Sequence, residues 1–193
     1  MASVSHKKVL LIGNPNTGKS SLFNHLTGIF QKIANYPGVT TEKKSGQIIF
    51  PSRTIDLIDL PGCYSLYPNS IDERVVISEL VHSTCDYVIF VADASNLNRS
   101  LLLYTQISDC KIPIVLVINM MDELYRKGEE VNLEILEKEL GAKVFVCNSK
   151  TGQGIKELKN YLEQADLQPN PHFFGNPDFY EKKSDEPSMD YRQ

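Results

Sequence analysis

Residues 13–20 read Gly13-Asn14-Pro15-Asn16-Thr17-Gly18-Lys19-Ser20, directly after the apolar run Val9-Leu10-Leu11-Ile12. A strand that turns through a glycine-rich loop into Lys-Ser and then a helical pattern is the layout of a phosphate-binding loop. A polyphosphate needs many donors and little steric bulk. Gly13 and Gly18 let the backbone curl so that its N–H groups face the anion. The helix that begins near Gly18 adds the positive end of its dipole. The nucleotide-binding set therefore runs from Gly13 through Asn14, Pro15, Asn16, Thr17, Gly18, Lys19 and Ser20 to Ser21. In it, Lys19 places an ammonium between the β- and γ-phosphates, and Ser20 offers a hydroxyl to Mg2+.

Three further motifs follow in order. Thr40 stands in Pro37-Gly38-Val39-Thr40, a stretch without clear period. That suits a mobile loop whose threonine hydroxyl closes on Mg2+ when a γ-phosphate is present. Asp59 ends residues 55–58, a strand apolar except for Asp56, and opens Asp59-Leu60-Pro61-Gly62. An acid at the C-terminal end of a parallel strand lies at the ligand-binding edge of the sheet, where Asp59 would hold Mg2+ through a water. Gly62 has no side chain, so its N–H can approach the γ-phosphate. Lys19, Thr40 and Gly62 are thus candidate catalytic groups.

Choice of base rests on Asn119, Met120 and Asp122, which follow the unbroken apolar residues 114–118. Such a run reads as a strand buried on both faces. A carboxylate just beyond it accepts two hydrogen bonds from guanine N1–H and N2–H2. Adenine lacks that donor pair, and a site built around such bonds is left unpaired by the wrong ligand. Asn148-Ser149-Lys150 follows the strand at residues 143–147 and completes the base site, with the Ser149 backbone N–H expected to reach guanine O6. One feature is missing. The position after Gly62, where many GTPases carry a glutamine that orients the attacking water, is Cys63, and a thiol is a poor donor and acceptor. Slow hydrolysis is expected, or a water held by backbone groups, a cation or a partner.

Strand and helix patterns alternate: strands near 8–13, 45–50, 54–59, 87–93, 114–119 and 143–147, helices near 18–28, 72–83, 97–110, 132–140 and 154–164. The expectation is an α/β fold of the P-loop NTPase type (a Ras-like G domain). Its sheet has six strands, mostly parallel with one antiparallel edge strand, and helices on both faces. The link between the second and third strands is too short for a parallel crossover, so those two form a hairpin. The chain of 193 residues is 41% hydrophobic, enough for one sizeable core. Residues 1–165 are read as the GTP-binding domain. Residues 166–193 hold Pro169, Pro171, Pro177 and Pro187 with Phe173, Phe174, Phe179, Tyr180 and Tyr191, and no regular period. They read as a linker or the start of another domain, with part of the aromatic set available for docking.

The formal charge is −4 and no basic block occurs, which argues against nucleic acid as a partner. Cys63, Cys85, Cys110 and Cys147 lack any Cys-x-x-Cys pair and read as reduced and structural. His6, His25, His82 and His172 are scattered, so no transition-metal site is expected. No apolar stretch approaches the roughly 20 residues that span a bilayer. No signal peptide is expected ahead of the phosphate loop, and the chain alone is expected to be soluble.

On these motifs the chain resembles the N-terminal cytosolic GTPase domain of the bacterial ferrous iron transport protein B family. The matching stretches are residues 13–26 (GNPNTGKSSLFNHL), 35–42 (NYPGVTTE), 59–66 (DLPGCYSL) and 93–101 (DASNLNRSL). Asp72-Glu73 and Ile112-Pro113 ahead of Asn119-Met120-Met121-Asp122 also match. The resemblance implies a GTPase at the cytoplasmic face of the bacterial inner membrane. Helical regulatory and membrane domains of the same polypeptide would follow it, and the latter move Fe2+. It implies an excised fragment with no iron site of its own. It also implies that K+ stimulates hydrolysis with Asn16 as a ligand, supplying charge that no arginine finger provides. Through the resemblance, Asn16 joins Lys19, Thr40 and Gly62 as a candidate catalytic group. Departures from the family pattern are Asn148-Ser149-Lys150 in place of Ser-Ala-Lys/Arg and Thr41 where an apolar residue is common. Modest affinity and quick GDP release are the expectation.

Two other function classes fit part of this pattern. One is a GTP/GDP-sensing module whose switch loops recruit a partner and whose turnover is incidental, in keeping with Cys63. The other is a ribosome- or tRNA-associated GTPase, which would usually carry a basic appendage unlike this acidic tail.

Overall fold

The computed structural model describes residues 5–28 and 31–169. A sheet of seven strands carries the molecule. In chain order the strands are β1 (Ser5–Gly13), β2 (Gln31–Asn35), β3 (Glu42–Ile49), β4 (Arg53–Asp59), β5 (Tyr87–Asp93), β6 (Ile114–Asn119) and β7 (Lys143–Val146). Their spatial order is β2-β3-β4-β1-β5-β6-β7. The ladders from β4 through β7 are parallel. The hairpin expected between β3 and β4 is present and antiparallel. The count differs from the six strands expected: β2 pairs antiparallel outside β3, so β3 lies one strand in from the edge. All five residues of β2 are exposed, and with neither face against a core it has no alternation to detect.

The helices are α1 (Lys19–Thr27), α2 (Ile71–His82), α3 (Leu97–Ser108), α4 (Met121–Arg126), α5 (Leu133–Leu140) and α6 (Ile155–Gln164), with a 3-10 turn at Ala94–Asn96 before α3. Strand alternation assigns the central side chains to two layers. Leu10, Ile12, Val88, Phe90, Leu116 and Ile118 pack with Val76, Leu103, Tyr104 and Ile107 of α2 and α3. Val9, Leu11, Ile89, Val91, Val115 and Val117 pack with Leu22, Phe23, Leu26, Leu158 and Leu162 of α1 and α6. Burying each large side chain contributes about 1.5–3 kcal/mol, which makes the two-faced strands the core of the fold. Local chemistry sets the helix starts. Ser70 caps α2, accepting the Glu73 N–H (3.1 Å) while the Glu73 carboxylate accepts the Ser70 N–H (3.0 Å). Asn132 caps α5 and Gly141 ends it in the left-handed region.

Arg53 donates to the Leu162 and Ala165 carbonyls (3.3 and 2.7 Å), and Leu167 packs on the α1–α6 layer, so the chain stays on the domain just past α6. The rest of the proline- and aromatic-rich tail, from residue 170, lies outside the described residues. Among the described residues no helix is long and apolar enough to cross a membrane.

Candidate functional site

The parallel strands end together at one edge of the sheet, and the loops that leave them line a cleft of about 600 Å3. Asn14, Pro15, Asn16, Gly18, Lys19, Ser20 and Ser21 come from β1 and α1, and Gly62 from the loop after β4. Asn119, Met120 and Asp122 follow β6, and Asn148, Ser149 and Lys150 follow β7. A cleft outside the carboxyl ends of parallel strands, flanking the central strand, is where α/β sheets bind ligands.

The phosphate loop is braced from inside. Gly13 lies so close to β5 that a Cβ there would stand 2.4 Å from the Val91 carbonyl oxygen. Asn16 and Gly18 both have positive φ (66° and 83°), a conformation Asn tolerates and Gly adopts freely. The buried Thr17 hydroxyl donates to the Asn14 carbonyl (3.0 Å) and closes the loop. Gly62 rests on Pro15, where a Cβ would meet the proline backbone at 2.9 Å. The glycine-rich loop after β1 and the loop after β4 are therefore packed against each other.

Lys19 is buried and gives its ammonium to the Asp59 carboxylate and to the Leu60 carbonyl oxygen. Both side chains are nearly covered, at 10% and 6% exposure. Two groups expected to act on a magnesium–phosphate unit are thus each other's partner, and a ligand must take over both. Asn14 Nδ2 donates to the Cys63 carbonyl (3.2 Å) while its Oδ1 is buried with no partner. Unsatisfied buried acceptors are uncommon, and one beside a polar cleft fits a cation or a donor-bearing ligand. The available donors (Ser20 hydroxyl, Asp59 carboxylate, Asn14 and Asn16 amide oxygens) are all oxygen, the preference of Mg2+ and other hard cations. Cys63 is 2% exposed within the α2–α3 layer, and burial pushes its thiol up to about 12. It faces the core and takes no part in lining the cleft.

The segments after β6 and β7 are tied together by side-chain hydrogen bonds. Asn119 is buried and spends its amide inside the protein. Its Nδ2 donates to the Thr17 carbonyl (2.8 Å) and to Ser149 Oγ (2.7 Å), and its Oδ1 accepts the Ser149 N–H (3.0 Å). The Ser149 N–H assigned from the sequence to a base carbonyl is already donated, because the β6 and β7 loops lie close enough for Asn119 to claim it. Asn119 ties three loops together. Gly18 is the residue that permits this, since a Cβ there would fall 2.1 Å from Asn119 Nδ2. Asp122 is open to the cleft: its side chain is 48% exposed and, among the described residues, pairs with Arg126 one turn on (2.7 Å). Met120 has φ 63° and caps α4, a helix too short for its own sequence period.

Thr40 is exposed and does not line the cleft. Asp72 does line it, carried there by the first turn of α2, and accepts a hydrogen bond from the Thr41 hydroxyl (3.1 Å). The sequence offered no spacing from which to assign Asp72 a role.

Comparison with known proteins agrees with this geometry. The family model described as ferrous iron transport protein B matches residues 7–162. The Fe(2+) transporter FeoB of Leptospira biflexa is 39% identical over 164 residues, covering 84% of this chain and 24% of that protein. FeoB of Salmonella typhimurium is 38% identical over 164 residues, covering 83% and 21%. The chain thus spans about a quarter of the length of these relatives. Among solved structures, the G domain of the T. maritima FeoB iron transporter matches with a TM-score of 0.76 and 44% identity over 81% of this chain and 96% of that one. An S. thermophilus NFeoB variant bound to GDP matches with a TM-score of 0.77 and 36% identity over 86% and 65%. The chain belongs to the ferrous iron transport protein B family, and the fold described above is that family's G domain.

Proposed function

We propose that this chain binds GTP with Mg2+ and hydrolyses it slowly, as the regulatory domain of a membrane ferrous iron transporter. The observation that carries the reading is the single cleft in which Lys19 and Gly62 meet Asp122 and the Asn119–Ser149 brace. One end is built for phosphates and the other for a base with paired donors. The reaction is in-line attack of water on the γ-phosphate. Lys19 leaves Asp59 for the phosphate and spreads its positive charge over the developing oxyanions. The Gly62 N–H faces the terminal phosphate, and Thr40 closes over it. Ser20, Thr40 and Asp59 would hold Mg2+, which would supply positive charge against the polyphosphate. Asn16 would hold K+, which supplies the positive charge an arginine gives elsewhere. Cys63 points into the core, so backbone groups orient the water. The absence of a side chain there accounts for a slow rate.

The domain would sit at the cytoplasmic face of the membrane, with helical and transmembrane parts of the same polypeptide as its partners. The T. maritima and S. thermophilus structures, which include GDP forms, support the guanine assignment. The burial of Cys63 also favours a second reading, in which nucleotide state is sensed and turnover is incidental. Turnover assays in potassium and in sodium separate the two. Potassium stimulation that is lost in Asn16→Ala supports the enzyme. Equal, barely measurable rates in both salts support the sensor. Calorimetry that finds ATP preferred over GTP would overturn both.

A further inference from the structure

Residues 36–41 form a turn closed on itself. The Tyr36 N–H donates to the Thr41 carbonyl (3.0 Å), and the Val39 N–H donates to the Tyr36 carbonyl (3.3 Å). Tyr36 is buried in the α2–α3 layer and anchors one end. The other end is held by the Thr41 hydroxyl, which donates to Asp72 Oδ1 at 3.1 Å. With the turn held this way Thr40 is exposed, outside the cleft. Asp72 cannot follow the turn if it moves, because the capping box at Ser70 and Glu73 fixes the first turn of α2. Yet the Asp72 carboxylate lines the same cleft as Lys19 and Gly62. One residue therefore holds the turn and lines the cleft.

We propose that the Thr41–Asp72 hydrogen bond is a latch that holds the turn with Thr40 outside the cleft, and that an incoming γ-phosphate releases it. The release is electrostatic. A triphosphate brings more negative charge to this end of the cleft than a diphosphate, and a neighbouring carboxylate disfavours it. Relief comes if Asp72 turns away, and turning away breaks the bond to Thr41. A ligand shifts such an equilibrium only by its differential affinity for the two states. The latch therefore weakens GTP binding and leaves GDP binding alone, since GDP does not need Thr40. Thr41 acts here as a positioning residue for Thr40. The proposal rests on the GTP reading above.

Affinities for GDP and for a non-hydrolysable GTP analogue, measured by calorimetry with Mg2+ on wild type and variants, test it. Thr41→Val should tighten the analogue about three- to tenfold, the net weight of one ordinary hydrogen bond at an exposed site, with GDP unchanged. Thr41→Ser keeps the hydroxyl and should return the wild-type ratio. In an Asp72→Ala background Thr41→Val should have no further effect, since coupled residues do not add. A purely structural role for Thr41 would move both nucleotides together. An unchanged ratio in Thr41→Val, a Thr41→Ser variant that matches Thr41→Val, or additive effects would each overturn the latch. Wild-type protein that binds neither nucleotide would instead remove the GTP reading, and the latch with it.

Discussion

Lys19 and Asp59 stand 40 residues apart in the chain and form a buried ion pair across the β1–β4 ladder. The register places Leu11 beside Asp59, and the phosphate loop brings Lys19 back over the end of β4. Breaking a buried pair by removing one partner costs more than the pair contributes, because the remaining charge is left in the interior. Each charge thus has its partner inside the protein until a ligand offers a new one.

Lys19→Ala should accordingly destabilise the nucleotide-free protein by about 3–5 kcal/mol. Urea denaturation measures it. Adding Asp59→Ala to Lys19→Ala should recover part of the loss, since no unpaired charge remains. A cost below about 0.5 kcal/mol for Lys19→Ala would mean that water already screens the pair.

What was readable in advance follows from burial. β5 and β6 are apolar along their length because both faces are covered, and they were placed within a residue. β2 packs on nothing, and the six residues of α4 span less than two turns, so neither leaves a pattern. At the site, motif spacing identified the residue types but not their partners. The sequence assigned Asn119 to base choice, and the structure adds that its amide donates to Thr17 and Ser149. That requires knowing how closely the loops after β1, β6 and β7 approach. Asp72 was missed for a related reason: its position depends on where α2 begins relative to the cleft.

Gly18→Ala and Gly128→Ala form a matched pair. Both glycines have positive φ (83° and 73°), so each alanine bears a backbone cost of about 1–2 kcal/mol. A Cβ at Gly128 meets nothing within 4 Å, whereas one at Gly18 collides with Asn119 Nδ2 and Ser149 Oγ. Gly128→Ala should leave guanine nucleotide affinity unchanged. Gly18→Ala should cost clearly more stability and abolish binding. Equal behaviour of the two in denaturation and calorimetry would contradict the brace.

Asp122→Asn should change the base preference with little change in stability. The exposed pair with Arg126 is worth about 0.3–0.5 kcal/mol. A carboxylate accepts from guanine N1–H and N2–H2, while an amide offers one acceptor and one donor. Xanthine presents N1–H beside a carbonyl and matches the amide. Competition binding should show GTP weakened by at least tenfold and xanthosine triphosphate gained. Undiminished GTP binding would mean that Asp122 does not read the base.

Alkaline pH should unfold the protein through its interior. Burial pushes the Cys63 and Cys147 thiols up to about 12 from an ordinary 9.0, and raises the Tyr36 and Tyr87 hydroxyls above their ordinary 10.0. Each group stays protonated in the fold while its unfolded counterpart ionises. The unfolded state then binds fewer protons, so stability falls as pH rises. The thiol contribution is complete below about pH 9 and is lost progressively toward pH 12, at about 1.4 kcal/mol per pH unit for each thiol. Urea midpoints should be level up to about pH 8.5 and then decline. Cys147→Ala should make the decline shallower without shifting its onset, because the alanine has nothing to ionise in either state. A profile that is flat to pH 11, or a variant as steep as wild type, would show that these thiols meet solvent before the chain unfolds.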